Sequence, residues 1–472
     1  MSALPHDLIR QLERRVADAQ RQWHAPSVVA RVVRRGTAPS AGPSAGAEVL
    51  LDLAAGSADL GPDGTSDPPP LAAGPDVQYR MGSITKTFSA VLMMQARDAG
   101  LLDLDDPLTA HLDVPAHGSL TLRRMLCHLS GLQREPVGEV WESLQGPALA
   151  ELLAGLGTAE AVLRPHERWH YSNLAYALLG QVAATVRGTS WAELLQRDVL
   201  DPLGLARTTT APAAPVARGY FVDPYADRLL PEPLFPGHAF APAAELWTTA
   251  ADLARWASFW ADPDPAVLAP ATVTEMTHLH AMADQRRWTL GWGLGLMLHR
   301  SGERVLVGHD GAMPGFLASM VVDRGTGVGA VVLVNTSRAA DPGTLALELV
   351  TAVLDDVPAV EQPWRPGPPV PDDVEALLGP WWSEGVQHLL AWRGGTDPGV
   401  DGDERGHLEA TTSAQGTAPP TVLRRDGTDR WRVVRGREQG ELLRVVRDAE
   451  GRPTRLYWAT YPMTRLPLPF GR

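Results

Sequence analysis

The sequence predicts a chain of mixed α/β (α+β) class in which an antiparallel sheet is flanked by helices. Apolar residues recur at helical spacing at 6–24 and at 345–354, and the pattern from about 140 to 300 is mostly helical and loop. Three short apolar runs, at 304–307, 316–322 and 329–334, are separated by glycine and Asp-Arg-Gly turns. Runs of this length with tight turns between them are typical of an antiparallel meander.

A second, small all-β domain is predicted at the end of the chain. The proline-rich stretch 363–373 predicts a stiff linker. Beyond it, short alternating runs are separated by turn signals at Asp426-Gly427 and Glu450-Gly451. We therefore expect a first domain at 1–362, the linker at 363–373 and a small antiparallel β-domain at 374–472. A chain of 472 residues is also too long for one ordinary hydrophobic core.

The remaining elements of the first domain follow from local patterns. An amphipathic opening helix at 6–24 is followed by β-branched and apolar runs at 27–35 and 48–54, which predict two strands. Segments rich in glycine, proline and serine, at 37–47 and 57–76, predict loops because they hold too few apolar residues to pack. A further helical stretch is predicted at 121–132, ending at Ser130 and Gly131.

Composition excludes several classes of function. With 44% hydrophobic residues the chain is globular, and its net charge of −13 argues against nucleic acid or an anionic membrane surface as a general partner. A single cysteine, Cys127, rules out an internal disulfide and a cysteine-based zinc site. The first residues lack a hydrophobic signal core, and no run of about 18 apolar residues occurs. We therefore expect a cytoplasmic protein that needs no membrane.

The pair Ser83 and Lys86 is the strongest chemical signal. Both lie at the start of a predicted helix of about four turns that ends at Gly100. Residues three apart share one helix face, with Cβ atoms roughly 5–6 Å apart. Lys86 is also the one lysine of this chain, in which every other basic position is arginine. A guanidinium cannot be deprotonated in a protein, whereas a buried ammonium can. Ser-x-x-Lys strings are common on solvated helices, but here we interpret Ser83 as a nucleophile and Lys86 as its activating base.

Acyl chemistry also needs a proton route, a group that orients the substrate and an oxyanion site. Tyr171 can relay a proton if neighbouring cations lower its pKa from about 10. Two residues later, the amide of Asn173 can donate and accept hydrogen bonds to a substrate. The third segment is His309-Asp310-Gly311: Gly311 lets a substrate approach the strand, and the N–H of Ala312 could complete an oxyanion hole with that of Ser83.

Three other candidates have structural explanations. His278 and His280 alternate without a third ligand, a pattern more typical of a surface turn than of a metal site. His128 is interpreted as a hydrogen-bonded core histidine, and Cys127 beside it as a small buried residue. We therefore predict no metal and no cofactor.

Taken in order, Ser83-Ile84-Thr85-Lys86, Tyr171-Ser172-Asn173 and His309-Asp310-Gly311 resemble the three motifs of the serine β-lactamase and penicillin-binding protein superfamily. Their spacing is similar to that of its class C branch, and the likeness covers roughly residues 10–356. The resemblance implies a β-lactamase/transpeptidase-like fold with a mainly helical subdomain and an acyl-enzyme at Ser83. It further implies a lipocalin-like barrel at the C-terminal end, since two-domain members of the family carry similar barrels.

One departure from the family pattern bears on the substrate. β-Lactamases and carboxypeptidases usually have Lys-Thr-Gly as third motif, where this chain has His309, which at its ordinary pKa of about 6.5 is mostly neutral at pH 7. The His-x-Gly form is typical of the esterase, amidase and D-aminopeptidase-like members. We therefore expect a serine hydrolase of small esters, amides or short peptides. The alternatives are a β-lactamase or D-Ala-D-Ala carboxypeptidase and, in another class, a non-catalytic scaffold or filament-forming protein that keeps the pocket.

Overall fold

The computed structural model describes residues 4–36, 47–61, 71–226, 228–337, 340–356, 369–394, 406–412 and 419–469. The chain divides into two compact units, Met1–Pro358 and Ala359–Arg472. Most of the predicted linker at 363–373, and parts of the predicted loops at 37–47 and 57–76, lie outside the described residues.

The first unit combines a sheet with helices on both of its faces. Its helices are α1 (His6–Gln22), α2 (Thr85–Asp98), α3 (Leu122–Leu126), α4 (Val140–Ser143), α5 (Leu149–Gly155), α6 (Asn173–Arg187), α7 (Trp191–Leu195), α8 (Asp201–Leu203), α9 (Ala241–Ala244), α10 (Ala250–Ala261), α11 (Pro270–Met276) and α12 (Pro342–Asp356). Its strands are β1 (Ser27–Arg34), β2 (Glu48–Asp59), β3 (Leu71–Ala72), β4 (Tyr79–Arg80), β5 (Tyr220–Val222), β6 (Leu229–Pro231), β7 (Trp247–Thr248), β8 (Ala281–Met282), β9 (Leu290–Trp292), β10 (Met297–Ser301), β11 (Arg304–Met313), β12 (Phe316–Val322) and β13 (Gly329–Val334).

The main sheet is antiparallel and, within the described residues, runs in the order β3-β2-β1-β13-β12-β11-β10-β9-β8. Every residue of the central strand β13 is buried. Val331 and Leu333 contribute to the core on the side of α2, α6 and α10, whereas Val332 and Val334 pack with α1 and α12 on the other side. Because neither face of β13 is exposed to solvent, its sequence is a continuous apolar run.

The predicted meander of β11, β12 and β13 is confirmed. Strand β11 extends to Met313, well beyond the predicted run, so His309, Asp310 and Gly311 lie within the strand and not after it. The predicted helix at 121–132 is wrong in length: α3 ends at Leu126, because His128 and Gly131 take left-handed backbone angles, φ 57° and φ 71°, that turn the chain away.

The second unit is an antiparallel barrel. A short helix, α13 (Asp372–Glu375), precedes eight strands that pair in chain order: β14 (Gly379–Ser383), β15 (Val386–Arg393), β16 (His407–Thr412), β17 (Thr421–Arg425), β18 (Arg430–Arg435), β19 (Leu442–Arg447), β20 (Pro453–Trp458) and β21 (Tyr461–Met463). Trp382 and Thr464 exchange two backbone hydrogen bonds, of 2.7 and 3.0 Å, which join the first strand to the last and nearly close the barrel. The prediction of a C-terminal β-barrel is confirmed.

Among the helices that the structure describes, none combines the length and the hydropathy needed to cross a lipid bilayer.

Candidate active site

Ser83 lies on a one-turn 3-10 helix, Gly82–Ile84, that leads directly into α2. This turn packs against strand β11: a Cβ built on Gly82 would lie 2.6 Å from the backbone nitrogen of Ala312, and one on Gly311 would lie 1.9 Å from the carbonyl oxygen of Met81. Gly82 also has φ 54°, a conformation that side chains with a Cβ rarely adopt. Two glycines therefore allow the backbone that carries Ser83 to meet the strand that carries Ala312.

Lys86 lies one turn further along, with its amine against the Ser83 hydroxyl. Its Nζ is 2.9 Å from Ser83 Oγ and donates a hydrogen bond to the carbonyl oxygen of Ala243 at 2.7 Å. The side chain is completely buried, and no carboxylate among the described residues forms an ion pair with it. The sequence prediction that the two groups share one helix face is met by this geometry.

Burial lowers the pKa of Lys86 well below its ordinary value, because an ammonium loses its hydration there. Two neighbours modify this effect in opposite directions: the negative charge of Glu135 raises the pKa of Lys86, and the positive charge of Arg134 lowers it. The net result is a lowered pKa, so the amine of Lys86 loses its proton more readily than a solvated lysine and, once neutral, can accept one.

Tyr171 lies over the same amine, with the centre of its ring 5.0 Å from Lys86 Nζ. His128 stacks on the ring at a centroid distance of 4.3 Å, and the guanidinium of Arg134 lies 5.1 Å from the ring centre. Loss of hydration raises the pKa of Tyr171, while a hydrogen bond to Ser83 and the charge of Arg134 lower it by less. The pKa of Tyr171 is therefore raised overall, and not lowered by neighbouring cations as a proton relay was expected to need. The hydroxyl keeps its proton at neutral pH.

His128 packs against the ring of Tyr171. It is completely buried, and its Nδ1 accepts a hydrogen bond from the backbone N–H of Ser172 at 3.1 Å. Burial lowers the pKa of His128 well below its ordinary value, so the ring is neutral. The interpretation of His128 as a hydrogen-bonded core histidine is confirmed. Its contact with Tyr171 was not predicted, since the two residues are brought together by the fold.

Asn173 is the first residue of α6 and is 7% exposed. Its Nδ2 donates to Glu135 Oε1 at 2.7 Å, and its backbone N–H donates to the carbonyl oxygen of Arg134 at 2.7 Å. Asn173 Oδ1 and Glu135 Oε2 are both buried without a hydrogen-bond partner among the described residues. Arg134 and Glu135 were not predicted as site residues, since charged residues that follow a Gly-Leu turn are typical of a solvated loop.

The third motif supplies a neutral ring and not a cation. His309 is 1% exposed, and its Nδ1 donates to the carbonyl oxygen of Asp310 at 2.6 Å, which leaves Nε2 as an acceptor without a partner among the described residues. Burial, followed by the nearby charge of Lys86, lowers the pKa of His309 to about 3. The expectation of a mostly neutral histidine is therefore met, and for a stronger reason than its ordinary pKa.

A cavity of about 520 Å³ opens beside Ser83. Tyr171, His309, Gly311 and Ala312 all line it, while Lys86 and Asn173 are buried and do not line it. Its remaining wall is formed in large part by aromatic and aliphatic side chains, namely Trp169, Leu290, Trp292, Met297 and Leu317. A mostly apolar cavity with a few convergent polar groups is the usual form of a small-molecule site.

The cavity also follows an open strand edge. β11 pairs with β12 from Val307 to Met313, but with β10 only from Arg304 to Gly308. Among the described strands, none pairs with the other edge of β11 beyond Gly308. Backbone groups at this edge can therefore bind an extended substrate as an added strand would.

The other candidates lie apart from this site. Burial raises the pKa of the Cys127 thiol to about 11, and its Sγ contacts the carbonyl oxygen of Arg123 at 3.1 Å. Within the described residues, no group of three or more histidine, cysteine and acidic side chains has a metal-binding arrangement.

Each of the two units matches a known family model. The Beta-lactamase family model matches residues 12–354, and a model described as a domain of unknown function (DUF7586) matches residues 370–465. Penicillin-binding protein 4 of Amycolatopsis lactamdurans is 28% identical over 340 residues, which cover 67% of this chain and 87% of that protein. The D-alanyl-D-alanine-carboxypeptidase/endopeptidase AmpH of Escherichia coli K12 is 25% identical over 287 residues, covering 56% of this chain and 72% of that protein.

A solved structure has the same fold. The octameric penicillin-binding protein homologue from Pyrococcus abyssi superposes with a TM-score of 0.64 at 20% identity and covers 97% of this chain and all of that one. The family model spans most of the first unit, from within α1 to within α12, including the Ser83, Tyr171 and His309 segments. This chain belongs to the beta-lactamase family.

Proposed function

We propose that this chain is a serine hydrolase that cleaves small esters, amides or short peptides through an acyl-enzyme at Ser83. The observation that supports the proposal most is the buried amine of Lys86, 2.9 Å from Ser83 Oγ. Burial lowers the pKa of Lys86 and so favours the neutral amine, which can take the serine proton, and a serine within hydrogen-bond reach of such a base is an activated nucleophile.

The proposed reaction has two stages. Lys86 accepts the proton of Ser83 as Oγ attacks the substrate carbonyl, and the N–H groups of Ser83 and Ala312 bind the oxygen that becomes negative. Tyr171, which keeps its proton because its pKa is raised, passes a proton to the leaving alcohol or amine. Water then attacks the ester on Ser83, with the same groups acting in reverse, and releases the acid.

The neutral state of His309 supports a preference for uncharged substrates. A histidine whose pKa is lowered to about 3 offers a substrate carboxylate no cation. Its Nε2, which has no hydrogen-bond partner within the described part of the chain, is an acceptor that suits an N–H or O–H group. We therefore propose esters and amides without a nearby carboxylate as the better substrates.

Cleavage of β-lactams or D-Ala-D-Ala peptides is the second candidate, and one observation favours it. Arg134 lines the cavity with its side chain 64% exposed, and it could bind a carboxylate in place of the missing lysine. Relatives named as a penicillin-binding protein and as a D-alanyl-D-alanine-carboxypeptidase/endopeptidase are consistent with this candidate.

A fluorophosphonate probe with a mass-resolved adduct tests the first proposal. We expect wild type to gain one adduct on the peptide that contains Ser83, and Ser83→Ala to gain none. Equal labelling of the two proteins would overturn the proposal. To separate the two candidates, p-nitrophenyl butyrate and nitrocefin are compared at equal concentration. Faster turnover of the ester supports the first candidate, and faster turnover of nitrocefin supports the second.

A further inference from the structure

The barrel of the second unit is packed at one end and hollow at the other. Along each strand, alternate side chains point inward. At the end nearer α13, the inward positions hold large apolar residues, which form one core with Val374 and Leu377: Trp381, Leu390, Leu408, Leu423, Trp431, Leu443 and Leu456. Because these residues fill the interior, this end of the barrel is closed.

The inward positions change character further along the same strands. On β14, Trp381 is followed by Ser383, and on β16, Leu408 is followed by Ala410 and Thr412. On β15, the inward positions are held by Val386 and His388 and then by Leu390. Small and polar side chains thus replace large apolar ones on adjacent strands, so the interior cannot be filled there. A cavity of about 460 Å³ results.

Three side chains in this cavity have buried polar atoms without a hydrogen-bond partner among the described residues: Ser383 Oγ, His388 Nδ1 and Trp458 Nε1. Ser383 is 9% exposed and Trp458 is 8% exposed. A buried polar group without a partner is destabilising, so such groups are rare unless water or a ligand satisfies them. Three of them in one cavity are difficult to explain by packing alone.

Charge at the cavity restricts what could bind. Glu384 and Glu438 lie near His388, and their charges raise its pKa, although burial lowers that pKa overall. Arg437 is the cation that lines this cavity in the described structure, and its Nε lies 3.9 Å from Glu438. An anionic ligand would therefore meet two carboxylates. A cationic ligand would meet the guanidinium of Arg437 and the Trp458 N–H, which can only donate.

We propose that the C-terminal barrel binds a small uncharged molecule with an apolar body and a carbonyl-type oxygen, which accepts hydrogen bonds from Trp458 and Ser383. The volume is within the range of about 300–1,000 Å³ found for small-ligand sites, and barrels of eight strands can hold one small ligand. The proposal concerns a separate site from the one at Ser83 and does not depend on hydrolysis there.

The test uses the full chain and two naphthalene dyes. Prodan is uncharged and carries a ketone, and its emission moves to shorter wavelength in apolar surroundings; anilinonaphthalene sulfonate has a similar body but is an anion. We expect saturable binding of one prodan per chain, at least tenfold tighter than that of the sulfonate. Ala410→Phe, which fills the cavity, should abolish prodan binding. Ala391→Phe, an equal enlargement at the neighbouring β15 position that alternates outward, should leave it unchanged.

Trp458→Phe removes one N–H donor and little volume. The loss of one hydrogen bond should weaken prodan binding by about three- to tenfold. The proposal is overturned if wild type binds no prodan saturably, if prodan and the sulfonate bind equally well, or if a folded Ala410→Phe variant binds prodan as wild type does. Should Ala410→Phe fail to fold, an unchanged dissociation constant in Trp458→Phe overturns the proposal.

Discussion

Replacing Lys86 by arginine tests whether proton acceptance, and not positive charge, is what the site needs. The amine is completely buried and contacts Ser83 Oγ at 2.9 Å and the Ala243 carbonyl oxygen at 2.7 Å. Arginine would keep a cation in this space but cannot lose its proton. Lys86→Met is the matched variant, since it removes the amine and keeps an unbranched side chain without adding charge.

The expected loss follows from the role of a general base. Positioned general bases contribute about 10²–10⁴ in rate, and each tenfold change corresponds to about 1.4 kcal/mol of activation free energy. We therefore expect acylation of Ser83 to slow by at least a hundredfold in both variants, equivalent to roughly 3–5 kcal/mol.

Lys86→Met should be more stable than wild type, although its acylation is slower. In the unfolded chain Lys86 has its ordinary pKa of about 10.4 and is protonated at neutral pH. In the folded chain the pKa of Lys86 is lowered, so folding releases a proton, and the unfolded state binds more protons between the two pKa values. The stability cost of the buried amine is therefore greater at pH 6 than at pH 9. Lys86→Met should melt above wild type, and by more at pH 6.

Both effects are measured directly. Stopped-flow or quenched fluorophosphonate labelling gives the acylation rate of each variant, and thermal unfolding at the two pH values gives its stability. The reasoning is refuted if Lys86→Arg acylates within tenfold of wild type, or if Lys86→Met is destabilised more at pH 6 than at pH 9.

Three further predictions concern neighbouring groups. Glu135→Gln removes a charge that raises the pKa of Lys86, so the acid limb of the acylation pH profile should move to lower pH; Arg134→Gln should move it to higher pH. Gly311→Ala places a Cβ 1.9 Å from the Met81 carbonyl oxygen and should displace one oxyanion donor, with a loss of about 10²–10³ in acylation rate. Burial raises the pKa of Glu245 to about 7, so its ion pair with Arg80 at 3.1 Å is fully charged only above that pH. Glu245→Gln should destabilise the first unit by about 3–5 kcal/mol, measured by urea unfolding at about pH 9.

Matched control substitutions distinguish these effects from a nonspecific loss of activity or stability. A Cβ at Gly74 meets nothing within 4 Å, so Gly74→Ala should acylate as wild type does. Glu167 pairs with an exposed arginine, and Glu167→Gln should leave the urea midpoint unchanged. Shifts of the pH profile in one common direction for Glu135→Gln and Arg134→Gln would contradict the electrostatic account of Lys86. An unchanged rate in Gly311→Ala, or an unchanged urea midpoint in Glu245→Gln, would contradict the packing argument.

The meander, the opening helix and the barrel could be predicted because their residues follow simple periodicities. Strand β11 was predicted too short, since His309-Asp310-Gly311 interrupts the apolar run where the strand borders the cavity. The hairpin of β5 and β6 was missed in a region interpreted as helix and loop. Each of its strands has three residues, too few for a pattern to be recognised.

In the candidate site, spacing along a helix was enough to bring Ser83 and Lys86 together. Arg134 and Glu135 were not predicted, because their effect on Lys86 depends on a loop that the fold carries to the start of α6. The direction of the Tyr171 pKa change also could not be predicted. It depends on whether loss of hydration or a neighbouring cation dominates, and burial is a property of the folded chain. The catalytic roles of these residues stay predictions.

Because the one lysine of the chain is buried, proteolysis after lysine can be used to follow local unfolding around it. A protease that cuts after lysine has a single target in the sequence, the bond between residues 86 and 87, in the first turn of α2. Cleavage there requires that the helix leave its packing, so at low protease the rate reports the fraction of molecules in which the candidate site is unfolded. A covalent inhibitor on Ser83 would slow this cut if it tightens the surrounding structure, and proteolysis would then measure ligand-induced rigidity at one defined peptide bond.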